Sequence, residues 1–126
     1  MKRDLELIRS ILLRIEDSEN PWHDAEIEID GHDQNTINFH LSLLIEAGFI
    51  QGMQKSDPNS PFGYYVHYPQ LCWDGYEFLE TIRDKEIWAK AKNGAGQVGS
   101  SALKLVGELA VGFAKQKAIG MGLPIA

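Results

Sequence analysis

Three histidines, His23, His32 and His40, together with the single cysteine, Cys72, have the chemistry of metal ligands. Their neighbouring members stand eight or more residues apart, whereas short ligand pairs take the form C-x-x-C or H-x-x-x-H. No metal site is therefore expected. His40, beside an apolar stripe, reads as a hydrogen-bonded core histidine. A nucleophilic cysteine needs an electropositive, partly open setting, and Leu71 and Trp73 predict instead a buried, inert thiol at Cys72. Glu26 and Glu28 share one face of an alternating segment, but paired carboxylates work as acid and base only in a concave site, which nothing here signals. The stretch GAGQVGS lacks the Gly-Lys-Ser/Thr ending of a phosphate loop and follows a helical pattern instead of a strand. These absences predict a protein that is not an enzyme and uses no cofactor.

Carboxamides can read adenine edges in a major groove, and Asn35 and Asn38 lie in the stretch around which the chain is organised, Asp33 to Ile50. At 100° per residue Ile37, His40, Leu41, Leu44 and Ala47 fall on one side, the pattern of an amphipathic helix. Asp33 is a suitable N-cap. Gly48 stands where a residue with positive φ commonly ends a helix. The opposite face should carry Asn35, Asn38, Phe39, Ser42 and Glu46.

Charge weighs against a nucleic-acid reading of that face. The net charge is −6, and it is segregated. Residues 1–14 carry four basic and two acidic side chains, residues 15–82 thirteen acidic ones and only Lys55, and residues from 83 onward seven basic and three acidic. Phosphate contacts, which supply most nucleic-acid affinity, come largely from Lys and Arg. If DNA is bound, the basic ends are the candidates: Lys2, Arg3, Arg9 and Arg14, with Lys85, Lys90 and Lys92. Spread as they are, they form no dense cluster.

The remaining elements follow in order. Arg3 to Asp17 reads as a helix burying Leu5, Ile8, Ile11, Leu12 and Ile15, ended by Asn20-Pro21. Glu26 to Asp30 alternates acid and isoleucine, the pattern of a short half-buried strand. No room remains for a full second helix before Asp33. Phe49–Lys55 and Phe62–Tyr68 read as two strands around a Ser-Asp-Pro-Asn-Ser-Pro turn. Tyr64, Val66 and Tyr68 share one face there and Tyr65 and His67 the other, and Pro69 should end the ladder. Asp74 then caps a long helix whose stripe changes phase at Arg83–Glu86, which predicts a kink or a second contact face there.

The fold class expected is α+β: a winged-helix-like domain (helix, short strand, degenerate helix-turn-helix, two-stranded wing), then a long helix and an additional C-terminal helix. The organisation expected is a domain over residues 1–92, a Gly-rich linker over 93–100 and an amphipathic helix over 101–118. On that last helix Leu105, Leu109 and Phe113 form a candidate dimer seam, with Gly107 and Gly112 allowing close approach. A length of 126 residues suits one domain. The lone cysteine, the lack of a secretion signal and the lack of any apolar run of about 18 residues predict a cytoplasmic protein without a membrane span.

The opening MKRDLELIRSILLRIE, the central INFHLSLLIEAGFIQG and the later LCWDGYEFLETIRDKEIWAKAK resemble the domain of unknown function 2513 family of bacterial, often prophage-borne proteins. The resemblance covers nearly the whole chain in the same order. It implies a small winged-helix-like protein, frequently of phage origin, and brings no catalytic residues to carry over. The expected function is a non-catalytic binding module acting through protein contacts on the acidic face of Asn35, Asn38, Phe39, Ser42 and Glu46, as a homodimer if the seam pairs. The alternative is a dimeric DNA-binding regulator using the basic ends.

Overall fold

The structure, a computed structural model, describes residues 1–20, 22 and 25–125. Pro21, His23 and Asp24 lie outside the described residues, so the expected proline stop and the His23 ligand candidate fall there too. The described residues form five helices and one two-stranded antiparallel sheet: α1 (Leu5–Glu16), α2 (Gln34–Glu46), β1 (Ile50–Ser56), β2 (Tyr64–Leu71), α3 (Trp73–Ile82), α4 (Lys85–Gln97) and α5 (Leu103–Gly120). The chain divides into two compact units, Met1–Glu77 and Phe78–Ala126, with the boundary inside α3.

In the first unit α1 packs on α2 and β2, and α2 on both strands. The apolar spacing of α1 puts Leu7, Ile8, Ile11, Leu12 and Ile15 into the core, with Leu5 only half-buried. From α2 come Ile37, Leu41 and Leu44, and Ile27, Ile50, Val66 and Leu71 complete the cluster. Each such side chain contributes about 1.5–3 kcal/mol by leaving water. Asp4 caps α1, its Oδ1 accepting from the Leu7 N–H at 3.2 Å, and Asp33 caps α2, accepting from the Thr36 N–H at 2.7 Å. Gly48, at φ 79°, closes α2 in a Schellman arrangement. The Gly48 N–H bonds Ile45 and the Phe49 N–H bonds Leu44, each at 3.0 Å.

Glu26–Asp30 does not form the expected strand, although Ile27 is buried as the alternation required. The edge of β2 that it would have joined is already occupied. Residues two apart on a strand point their polar groups to the same edge. On this edge the Val66 N–H and the Tyr64 carbonyl are both taken by the side chain of Asn38, at 2.8 and 3.0 Å. The Tyr68 N–H bonds the carbonyl of Ala25, just ahead of that segment, at 3.0 Å.

Pro69 does not end the ladder either. Register slips between Gln51 and Met53, and β2 continues to Leu71. Tyr68 adopts φ 53° in this bulge, and Pro69, having no N–H, is tolerated there. The bulge also breaks the expected alternation of faces, so that Val66, Pro69 and Leu71 are the buried positions. Next in the chain, the Cys72 N–H bonds the Phe49 carbonyl at 2.9 Å. A Cβ on buried Gly75 would overlap that carbonyl oxygen, so α3 starts hard against the end of β1.

The single long helix expected after Asp74 is two helices. α3 ends at Ile82, and α4 restarts behind Asp84, whose carboxylate accepts from the N–H groups of Glu86 and Ile87 at 2.9 and 3.0 Å. The phase change at Arg83–Glu86 marks this break. Asn93–Gln97 belongs to α4 and not to a linker. Its small residues let α5 approach: Ala91 and Ala95 are fully buried, as are Val106 and Ala110 of α5. The Leu109 Cδ1 lies 3.3 Å from where a Gly94 Cβ would sit. α5 itself runs from Leu103 to Gly120, later at both ends than expected.

Candidate functional site

The expected partner face lies where α2 meets the β1–β2 hairpin, and its residues play unequal parts. Asn38 is corrected from outward to fully buried. Besides its two bonds to β2, its backbone carbonyl accepts from the Ser42 hydroxyl at 2.9 Å. Ser42 Oγ also shares a hydrogen bond of 2.9 Å with the Tyr64 hydroxyl. One turn before Asn38, Asn35 Oδ1 accepts from the Tyr65 hydroxyl at 2.8 Å. Asn35, Asn38 and Ser42 thus form a polar seam on α2 that holds the tyrosine-rich strand. Their spacing of three and four residues puts them in one row. The Asn38 carboxamide is engaged through both its oxygen and its nitrogen, and that of Asn35 through its oxygen.

Phe39 and Glu46 remain open to a partner. Phe39 is half-buried, its ring stacked on Phe62 with centroids 6.3 Å apart and planes 25° apart, and edge-on to His40 at 5.3 Å. Phe62 is exposed in the turn between the strands. That turn is tied by Ser60, whose hydroxyl donates to the Tyr64 carbonyl at 2.7 Å and accepts from the Phe62 N–H at 3.1 Å. Glu46 is exposed at the far end of α2. The aromatic pair joins the hairpin turn to a helix that carries no lysine or arginine. Phe39, expected on the outward face, is half-buried against Phe62 and His40, and sequence periodicity missed Phe62, which looked like the first residue of a strand.

His40 is the core histidine expected. Its Nε2 accepts from the Asp4 N–H at 2.8 Å, which leaves Nδ1 protonated and donating to the Thr36 carbonyl at 2.8 Å. Both ring nitrogens are engaged. Among the described residues no group of three His, Cys, Asp or Glu side chains is placed to hold a metal ion. Cys72 is half-buried, not enclosed as expected, and its neighbour Trp73 is exposed. Glu26 does not pair with Glu28; its Oε1 lies 3.6 Å from His67 Nε2.

The basic candidates fall into both units. Lys2 and Arg3 are exposed ahead of α1, and Arg9 and Arg14 are half-buried on it. Lys85 is exposed on α4. Lys90 pairs with Glu86 at 3.1 Å, and Lys92 lies over the Trp88 ring at 5.3 Å. Of the seam candidates, Leu105, Leu109 and Phe113 are half-buried. Leu109 meets Gly94 of α4, and Phe113 lines a hollow of about 290 Å³ with Ile87 and Lys90.

Comparison with known proteins adds a family and a relative. A family model described as "Hypothetical protein (DUF2513)" matches residues 2–101. An uncharacterized protein of Haemophilus influenzae is 36% identical over 93 residues, covering 73% of this chain and 76% of the relative. No solved structure matches the chain at a significant level. No helix among the described residues is long and apolar enough to cross a membrane.

Proposed function

The chain belongs to the DUF2513 family, and from that premise we propose that it is a non-catalytic binding module, a winged-helix variant that works through protein contacts. The order α1, α2, hairpin, with α1 and α2 packed on the strands, supports the winged-helix reading. In it, the seam from Asn35 to Ser42 fixes the wing against the helix that would otherwise read DNA. The observation that carries the proposal is the Phe39–Phe62 stack on a surface whose helix has no lysine or arginine. Aromatic anchors at the centre of a patch carry much of the energy of protein interfaces. The acidic middle of the chain favours a basic partner patch, including one that otherwise holds nucleic acid. A phage-related setting and a homodimer through Leu105, Leu109 and Phe113 belong to the same reading.

Affinity capture from bacterial extract, comparing the whole chain with Phe39→Ala, tests it. A specific partner captured by the parent and lost by the variant supports the proposal, since truncating a central aromatic commonly costs 2 kcal/mol or more, roughly 30-fold in affinity. Equal capture by both removes Phe39 as the anchor. The DNA-binding alternative, a dimeric regulator, rests on the basic ends, Lys2, Arg3, Arg9 and Arg14 with Lys85, Lys90 and Lys92, and predicts salt-sensitive DNA affinity that Arg9→Ala with Arg14→Ala abolishes.

A further inference from the structure

A second surface of the first unit carries an exposed tryptophan, Trp22, beside half-buried Tyr68. Trp22 is 64% exposed, and its backbone N–H donates to Asn20 Oδ1 at 3.0 Å. Its ring stands 5.3 Å from that of Tyr68, with 49° between the planes. Tyr68 is aimed there by the bulge, in a backbone conformation that bulky residues rarely adopt. The two rings line a shallow cleft of about 390 Å³ with Gln51, Gly52, Met53 and Gln70. Gln51 and Gln70 are cross-strand partners, so two carboxamides stand side by side along it. Lys55 Nζ lies 5.3 Å from the Tyr68 ring centroid, and Lys55 is the sole basic residue between positions 15 and 82.

We propose that this cleft binds an extended, proline-containing peptide segment that carries an acidic residue beside the proline. The ring geometry selects the ligand. Stacked rings sit about 4.5–7 Å apart, so Trp22 and Tyr68 are already in contact and leave no slot in which a flat base could be sandwiched. The open face of exposed Trp22 suits a puckered pyrrolidine ring. A polyproline II segment has no internal hydrogen bonds, and its unpaired carbonyls can accept from the carboxamide N–H groups of Gln51 and Gln70. Aromatic-lined grooves are the usual seat of such segments because the ligand is ordered before it binds. Lys55 supplies the charge complement for the acidic residue. Met53, with its adaptable thioether, accommodates the flanking side chain. This surface is separate from Phe39, so the two proposals stand or fall independently.

The test is a titration of the isotope-labelled whole chain, followed by amide and indole NMR signals. The probe is a synthetic peptide of prolines with one glutamate. A glycine–serine peptide of the same charge, an oligothymidylate and a gluco-oligosaccharide serve as comparisons. The proline peptide is expected to shift the signals of Gln51, Met53, Gln70 and the Trp22 indole, and the others are not. Trp22→Ala, an exposed position whose loss leaves the core intact, is expected to abolish those shifts while the rest of the spectrum persists. Lys55→Gln is expected to weaken binding about two- to fivefold, the scale of one exposed ion pair. The proposal is overturned if the proline peptide gives no shifts at millimolar concentration or binds no better than any comparison ligand. Equal binding by the Trp22→Ala chain overturns it too.

Discussion

A carboxamide carries the same donor and acceptor as a peptide unit, so Asn38 can hold the edge of β2 where a neighbouring strand would otherwise pair. Its bonds to the Val66 N–H and the Tyr64 carbonyl are buried, and water cannot replace them. Asn38→Ala orphans the Val66 N–H, while the Tyr64 carbonyl keeps the Ser60 hydroxyl, and is expected to cost about 1–3 kcal/mol, read as a lower midpoint in urea denaturation. Asn38→Asp keeps the acceptor but loses the donor, and is expected to destabilise as well. A variant at the parent's midpoint would show that the edge is satisfied some other way. At the same scale, periodicity identified His40 as core but could not foresee Asn38, because an asparagine one position from a stripe reads equally as solvated.

Helix ends dominate at the scale of elements. Hydrogen bonds from Thr36 and Ile87 N–H groups hold the carboxyls of Asp33 and Asp84 below their usual value of 3.8, helped at Asp84 by Lys117 at 3.6 Å. A depressed carboxyl stabilises the folded state above its unfolded pKa, and that contribution disappears as pH falls through the lower folded value. The double variant Asp33→Asn, Asp84→Asn is therefore expected to lose less stability than the parent between roughly pH 5 and pH 2, measured by thermal unfolding. An identical acid profile in both proteins would refute the assignment. α5 has no side-chain N-cap bond, and among its buried residues are Val106 and Ala110. Trp88, buried on α4, should carry a large part of the second unit. Trp88→Ala is expected to cost about 3–5 kcal/mol, with accelerated amide exchange along α5.

Charge belongs to the whole molecule. An acidic stretch containing α2 and both strands, between basic ends, opposes a polyanion wherever the first unit would approach it. In a gel shift at about 50 mM salt, the low end at which phosphate contacts are strongest, random duplex DNA is expected to remain unretarded. Retardation that falls steeply with salt would reverse the choice between the two functional readings. Dividing the chain at Glu77 also relocates its organisation. The glycine-rich stretch looked like a linker because Gly and Ser weaken helices, and only the close approach of α5 keeps it helical.

Patterns set by local chemistry were legible in the sequence: the apolar stripe of α1, the Asp33 and Gly48 ends of α2, the hairpin turn, the break near Arg83. Each depends on residues within a few positions of one another, which periodicity and capping rules can read. What the tertiary structure decided are pairings between distant residues. Asn38 bonded the outer edge of β2, Phe62 joined Phe39, and the bulge at Tyr68–Pro69 brought Trp22 a neighbour. Several arrangements satisfy such groups equally well on paper, and only the packed chain selects one.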